Sequence, residues 1–290
     1  MEKQFKISDE KIVELYLSGL TLKEVAIHAQ DNVGVMALRK KLHKLGVDTS
    51  RQATKARYRE RRSKAMRRYT FNEHIFDVID TEEKAYWLGF LMADGYNHES
   101  KTCVALRLQE EDKEILEKFK KFLDYNGPIY TFTRTTDTNH LIRNYCELSL
   151  CSVIFSRILA EKGCIQGKTY TLKFPEFLPK HLYNHFIRGL FDGDGCISIT
   201  PRKDRTPNSK TYQFNIVGTE AIMERIKDIL IEEVGITRTT TKYYSKAVTI
   251  HWSGKRVVTK ILNYLYKNAT IYMQRKYNKY LYMVTRQSNL

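Results

Sequence analysis

No apolar run in this chain approaches the ~20 residues that a membrane-spanning helix needs, and the sequence offers no candidate span. The first residues, Met-Glu-Lys-Gln-Phe-Lys, lack the apolar stretch of a secretory signal. Cysteine is scarce: five residues (Cys103, Cys146, Cys151, Cys164, Cys196), an odd number with no Cys-x-x-Cys pair. That count argues against a disulfide framework and against a zinc site, and it fits a reducing, cytoplasmic setting. Acid is also in deficit. Asp and Glu number 33 against 49 Lys and Arg, which leaves a formal charge of +16 over 290 residues. A positive field of that size points to a polyanion, either nucleic acid or an acidic membrane surface.

Against that background one segment stands out because it occurs twice. Trp87-Leu88-Gly89-Phe90-Leu91-Met92-Ala93-Asp94-Gly95 is echoed by Ile187-Arg188-Gly189-Leu190-Phe191-Asp192-Gly193-Asp194-Gly195. Both read as short apolar helices ending in Asp-Gly. Gly89 and Ala93 lie four apart and share a helix face, as do Gly189 and Gly193. Small residues on facing surfaces let two backbones approach closely. Gly inside a helix costs up to about 1 kcal/mol relative to Ala, so its recurrence calls for a packing reason.

Asp94 and Asp194 would then sit at helix C-termini, where the helix dipole disfavours an anion. If the helices pack side by side, the two carboxylates also repel each other. A divalent cation relieves both penalties, and Mg²⁺ (or Mn²⁺) suits carboxylate, carbonyl, water and phosphate oxygens. Such a site could serve phosphodiester hydrolysis. A single Asp-Gly is a common turn pair and means little alone; two copies in register, each opening a similar half, favour a paired carboxylate site.

The rest of the chain divides by composition. Residues 1–50 read as a small all-α unit. Ile12, Val13, Leu15, Tyr16 and Leu17 form one apolar group, Thr21 is a candidate N-cap with Glu24 three residues on, and a last helix runs through Val35, Leu38, Leu42 and Leu45 to Gly46. Three short helices at this spacing resemble a helix-turn-helix module. The last helix carries Arg39, Lys40 and Lys44 for phosphates and base edges; a protein-binding bundle is the alternative. Residues 51–69 hold nine Lys/Arg within 51–68 and no convincing apolar face, which predicts a basic linker or an irregular helix along phosphates.

Residues 70–167 and 168–290 are the two halves, with 168–180 as a connector punctuated by Pro175 and Pro179. Each half reads α-β-β-α-β-β-α, so the predicted fold class is α+β with two pseudo-symmetric halves. The first half shows strands near 102–109, 128–134 and 143–150. The second shows them near 196–200, 210–217, 238–244 and 247–252. Alternation sets Val104, Leu106 and Leu108 against Arg107 and Gln109, and Phe214 and Ile216 against Gln213 and Asn215. It also sets Val248, Ile250 and Trp252 against Thr249 and His251. An ordinary half-exposed sheet would look the same. The polar side chains are nonetheless types that pair with base edges, and Arg134, Arg238 and Lys242 add charge.

These residues carry a family resemblance. The duplicated segments resemble the paired motifs of the LAGLIDADG homing endonucleases in their single-chain, two-repeat form, over roughly residues 70–290. Glu83-Lys84-Ala85-Tyr86-Trp87, His185-Phe186-Ile187-Arg188-Gly189 and Gln274-Arg275-Lys276-Tyr277 agree with it. The N-terminal module resembles accessory DNA-binding modules of some phage and intron-borne members. The resemblance implies that the motif helices form the interface between halves, that two four-stranded sheets make a saddle over double-stranded DNA with a long target site, and that the protein is a monomer with internal two-fold pseudo-symmetry. It implies metal ligands at Asp94, Asp194 and the carbonyls of Ala93 and Gly193, water positioned by Gln109 and Gln213, and Lys276 as the basic residue that stabilises charge. It further implies cleavage of both strands across the minor groove with 3′ overhangs.

One departure is Met92 where the motif often has Asp; the second copy keeps Asp192. The chain start shows no splicing-type residues, which favours a free-standing enzyme over an intein. A non-cleaving DNA-binding regulator and an intron maturase, which would take intron RNA as partner, are the competing readings on the same fold.

Overall fold

The computed structural model describes residues 5–29, 34–98, 102–135, 142–202, 209–236, 240–243 and 247–285. The chain divides into two compact units, Met1–Arg68 with Ser152–Ile154, and Tyr69–Cys151 with Phe155–Leu290. Among the described residues no helix is long and apolar enough to cross a membrane.

The first unit has helices α1 (Asp9–Leu17), α2 (Leu22–His28), α3 (Val35–Lys44) and α4 (Arg51–Ala65). Ile12, Tyr16, Leu22, Val25, Leu38 and Leu42 form its buried core. The capping box read from the sequence is present. Thr21 Oγ1 accepts from the Glu24 amide at 3.2 Å, and Glu24 Oε2 accepts from the Thr21 amide at 2.7 Å. Residues 51–65, predicted as a linker or an irregular helix, form a regular 15-residue helix capped by Ser50. Arg, Lys, Gln and Ala are all strong helix formers, so a helix without an apolar stripe still forms once a neighbour supports it.

The second unit runs α5 (Glu82–Ala93), β1 (Gly95–His98), β2 (Cys103–Gln109), α6 (Lys113–Phe122), β3 (Tyr130–Thr135), β4 (Ile142–Cys151) and, from Phe155 on, α7 (Val153–Glu161). It continues with α8 (Tyr183–Asp194), β5 (Gly195–Pro201), β6 (Lys210–Gly218), α9 (Glu220–Val234), β7 (Thr240–Tyr243), β8 (Val248–Ser253), α10 (Lys255–Tyr266) and α11 (Gln274–Thr285). Two antiparallel sheets result, ordered β1-β2-β4-β3 and β5-β6-β8-β7. The α+β class and the repeated half are as the sequence predicts. Strand β1 was not predicted. Its Asn97 is buried and would argue against a strand, but its amide donates to the Ser156 and Cys164 carbonyls at 2.8 and 2.9 Å and its oxygen accepts from Ser156. A buried polar group so fully paired carries little penalty.

The predicted alternation holds. Val104, Leu106, Leu108, Cys146, Leu148 and Leu150 are buried under α6, while Arg107 and Gln109 lie on the open face. In the second half Phe214, Ile216, Val248, Ile250 and Trp252 are buried under α9 and α10.

The cysteine expectation is corrected. Cys103 and Cys151 stand directly opposite across the β2–β4 pair, with Cα atoms 4.0 Å apart, and are joined as a disulfide. They are 48 residues apart in sequence, so only strand register brings them together. Cys146, Cys164 and Cys196 are free thiols. Cysteine usage therefore no longer argues for a reducing compartment.

Candidate metal and nucleic-acid site

Helices α5 and α8 are each buried on nearly all sides: eight of twelve residues in α5 and eight of twelve in α8. A helix apolar all round belongs inside a protein, and here each is the other's main neighbour. The glycines set the contact. A methyl group on Gly89 would drive into the Phe186 carbonyl and lie 2.9 Å from the Leu190 amide nitrogen. One on Gly189 would drive into the Tyr86 carbonyl and lie 2.9 Å from the Phe90 nitrogen. The contact is thus reciprocal, backbone against backbone. One turn further on, a Cβ on Gly193 would collide with Ala93 Cβ and lie 3.2 Å from Asp94 Oδ2. The four small residues Gly89, Ala93, Gly189 and Gly193 are all in this interface.

The helices end together, and the carboxylates feel each other. Burial first, and then Asp194, push the Asp94 carboxyl up to about 6. Asp194 is likewise raised by burial. Neither helix has a basic residue in its own last turn. Cations arrive instead from elsewhere in the chain. Lys276, on α11, donates to the Phe191 and Asp192 carbonyls at 2.5 and 2.7 Å and reaches the Gly193 carbonyl at 3.5 Å. Its burial pulls the ammonium down to about 8. Lys168 donates to the Gly95 carbonyl. Its charge, like that of Lys276, opposes the upward shift at both Asp94 and Asp194. Lys168 was missed from sequence because it lies in what reads as a connector.

The first-half site opens into a cleft of about 390 Å³ lined by Asp94, Tyr96, Ala105, Arg107 and Glu147. Arg107 pairs with Glu147 at 2.6 Å. Gln109 is not part of that cleft; it lines another with Glu110, Glu111 and Asn144. Nor are Gln109 and Gln213 equivalent. Gly95 pairs with Leu106 and Gly195 with Ile216, so Arg107 corresponds to Val217, Gln109 to Thr219, and Gln213 to Cys103. Sequence spacing could not show this, because the register of each hairpin fixes it.

Of the remaining candidates, Arg39, Lys40 and Lys44 are exposed on α3, Arg134 on β3 and Lys242 on β7. Gln213 and Asn215 on β6 and His251 on β8 are half-exposed, and Asn215 pairs directly with His251 across the strands. Arg238 lies outside the described residues.

Asp192 has a different part. It is fully buried and accepts from the hydroxyls of Tyr86 at 2.9 Å and Tyr266 at 2.5 Å and from the Met273 amide at 2.8 Å. The last of these bonds anchors the start of α11, three residues before Lys276. Arg188, also fully buried, bonds Glu82 at 2.7 Å and the Ile271 and Leu265 carbonyls, tying the first turn of α5 to α8.

The family model described as LAGLIDADG endonuclease matches residues 187–288, from the motif helix α8 through α11. Over these residues the chain is similar to the LAGLIDADG endonuclease family. The resemblance read from the duplicated segments therefore holds, and the first half repeats the order of helix, two strands, helix, two strands and helix found there, without a counterpart of α11. Among curated proteins, none matches the chain. Solved structures with a similar fold include the I-LtrWI LAGLIDADG homing endonuclease bound to target DNA, at 15% identity over 72% of this chain and 92% of that one, with a TM-score of 0.45. Meganuclease I-SmaMI bound to uncleavable DNA is similar at 13% identity over 69% and 89%, TM-score 0.44. Full-length WhiA from Thermatoga maritima is similar at 16% over 74% and 65%, TM-score 0.42.

Proposed function

We propose that the chain is a site-specific DNA endonuclease that hydrolyses one phosphodiester in each strand of a long duplex target, leaving 3′ overhangs, with Mg²⁺ or Mn²⁺. The observation that carries this reading is the glycine-lined contact that sets the Asp94 carboxylate against Gly193 at the end of α8.

The donor set suits a hard cation. Among the described residues no three His, Cys, Asp or Glu side chains gather into a cage, and Mg²⁺ commonly uses one or two carboxylates, waters and substrate phosphate. Asp94 and Asp194 would hold it, with the carbonyls of Ala93 and Gly193 beside them. When bound, such an ion activates water and stabilises the leaving oxygen. Lys276 holds the last carbonyls of α8 and Lys168 the Gly95 carbonyl just past α5, and both offset the two anionic side chains, which lets an anionic phosphate approach. The charge of +16 and the open sheet faces with Arg134, Asn215, Lys242 and His251 support duplex DNA as partner. We assign α3 to added contacts with the same DNA.

A cleavage selection on a random duplex library with Mg²⁺ tests the reading. Expected are linear products with 3′ overhangs that vanish with EDTA and in Asp94→Asn. Specific binding without cutting would favour a DNA-binding regulator, and binding of intron RNA alone a maturase.

A further inference from the structure

Helix α4 has two unlike basic faces. On one, Thr54, Arg57 and Arg61 are used within the first unit. Thr54 Oγ1 meets the Tyr16 hydroxyl at 3.2 Å, the Arg57 guanidinium lies 4.0 Å over the Tyr16 ring, and Arg61 pairs with Glu24 at 2.8 Å. Gly19 admits this approach: a Cβ there would lie 2.9 Å from Arg61 Cβ and 3.2 Å from the Arg57 carbonyl. The Arg61 pairing, after the Thr21 amide, holds the Glu24 carboxyl down at about 2. These residues dock the helix: Arg61 is paired with an acid and Arg57 is packed on Tyr16.

The second face carries Arg51, Lys55, Arg59 and Arg62, spaced i, i+4, i+8 and i+11 and about a third of a turn round the helix from the docking face. All four are exposed. Among the described residues none of the four has an acidic partner, and the only acid in the helix is Glu60. Four unanswered cations in a row, on a helix held rigidly by its other face, form a line of positive charge about 16 Å long. Phosphates on one strand of a duplex recur every ~3.4 Å along the axis, so such a line spans about five of them.

We propose that this face of α4 lies along the phosphates of one strand of duplex DNA and supplies sequence-independent, salt-sensitive affinity. The proposal rests on the reading that the chain acts on DNA. It assigns α4 a part of its own beside α3, on which Arg39, Lys40 and Lys44 are exposed. Four phosphate contacts also account for the strongly basic composition of a helix that has no buried residue among its described ones.

The test is the salt dependence of duplex binding by the full chain, without added metal so that cutting does not enter. For R51Q/K55Q/R59Q/R62Q, the slope of log Kobs against log salt is expected to become shallower by about 3 to 4 units, since each phosphate left without its cation removes about 0.9. Gln keeps helix propensity close to that of Arg and Lys, so circular dichroism and melting should match the parent. If the fourfold variant melts early, R51Q/K55Q and R59Q/R62Q each give the answer, at about half the change. R57Q/R61Q should lower the melting temperature with a slope change below about one unit. An unchanged slope in the fourfold variant overturns the proposal while leaving the nuclease reading intact, and so does a change seen only with single-stranded RNA. A parent chain that binds no duplex DNA at any salt overturns both.

Discussion

The two halves of the second unit share a backbone plan and differ in what holds the ends of the motif helices in place. In each, a motif helix ends in an aspartate, a four-stranded sheet follows in the same order, and a later lysine returns to backbone carbonyl oxygen beside that aspartate, Gly95 in the first half and Phe191 to Gly193 in the second. In the second half that lysine sits on a full helix, α11, whose start is bonded by the buried Asp192. In the first half Met92 replaces this carboxylate, and Lys168 sits on a single 3₁₀ turn, Lys168–Tyr170. The open faces differ as well: Arg107 with Glu147 beside Asp94, against Val217 and Thr249 in the matching places. Common to both halves are the glycine contact and the terminal aspartates, on which the proposed chemistry rests. What differs is support.

The largest expected effect comes from the shared feature. Gly89→Val and Gly189→Val should each destabilise the protein by about 3 kcal/mol or more in denaturant unfolding, because added atoms meet backbone that cannot move aside. The losses should be similar, since the packing is reciprocal; a loss from one alone would break the symmetry. Next, Asp94→Asn and Asp194→Asn should each lower Mg²⁺-dependent cleavage by about 10²–10³-fold, the scale for removing one preorganised charge-stabilising group. Product analysis on strand-labelled DNA would show whether one half is the more dependent.

The asymmetric supports should respond unequally. Asp192→Leu strands the Tyr86 and Tyr266 hydroxyls and the Met273 amide, an expected loss of about 3 kcal/mol. Met92→Leu at the matching position should cost under about 1.5 kcal/mol. Equal losses would mean that the buried carboxylate is no anchor.

The smallest effect is a linkage one. The folded protein holds Asp94 as an acid up to about pH 6, above the ordinary value near 4. The fold therefore binds this proton more tightly than the unfolded chain does. Its stability contribution is full below pH 4, is lost as pH rises from 4 to 6, and stays lost above. Without metal, Asp94→Asn should be more stable than the parent by about 2 kcal/mol at pH 8 and no more stable at pH 4. Mg²⁺ should raise the melting temperature of the parent and not of the variant. Melting curves at the two pH values, with and without the ion, read all of this.

Much of this was legible before the structure because it is written in local pattern. The duplicated Gly-x₃-small-Asp segments gave the interface, the alternation around Leu106 and Phe214 gave the buried sheet faces, and Thr21 with Glu24 gave a helix start. What was not legible depends on register and on chain returns. Cys103 and Cys151 meet only once β2 and β4 are aligned. Gln109 and Gln213 look alike in a strand pattern but sit on opposite sides of the pairing point. Lys168 lies in a stretch that reads as a connector, and nothing local says that it turns back to Gly95. Strand β1 hides because it is four residues long and contains a buried asparagine whose partners lie 59 and 67 residues away.

The most direct measurement is a carbon-13 NMR titration of the Asp94 carboxyl in the metal-free full chain, alongside the same titration in Asp194→Asn. The expected result is a midpoint near 6 in the parent and a lower one once the Asp194 charge is gone. An ordinary midpoint near 4 in the parent, or one indifferent to Asp194, would contradict the meeting of the two acids at the helix ends.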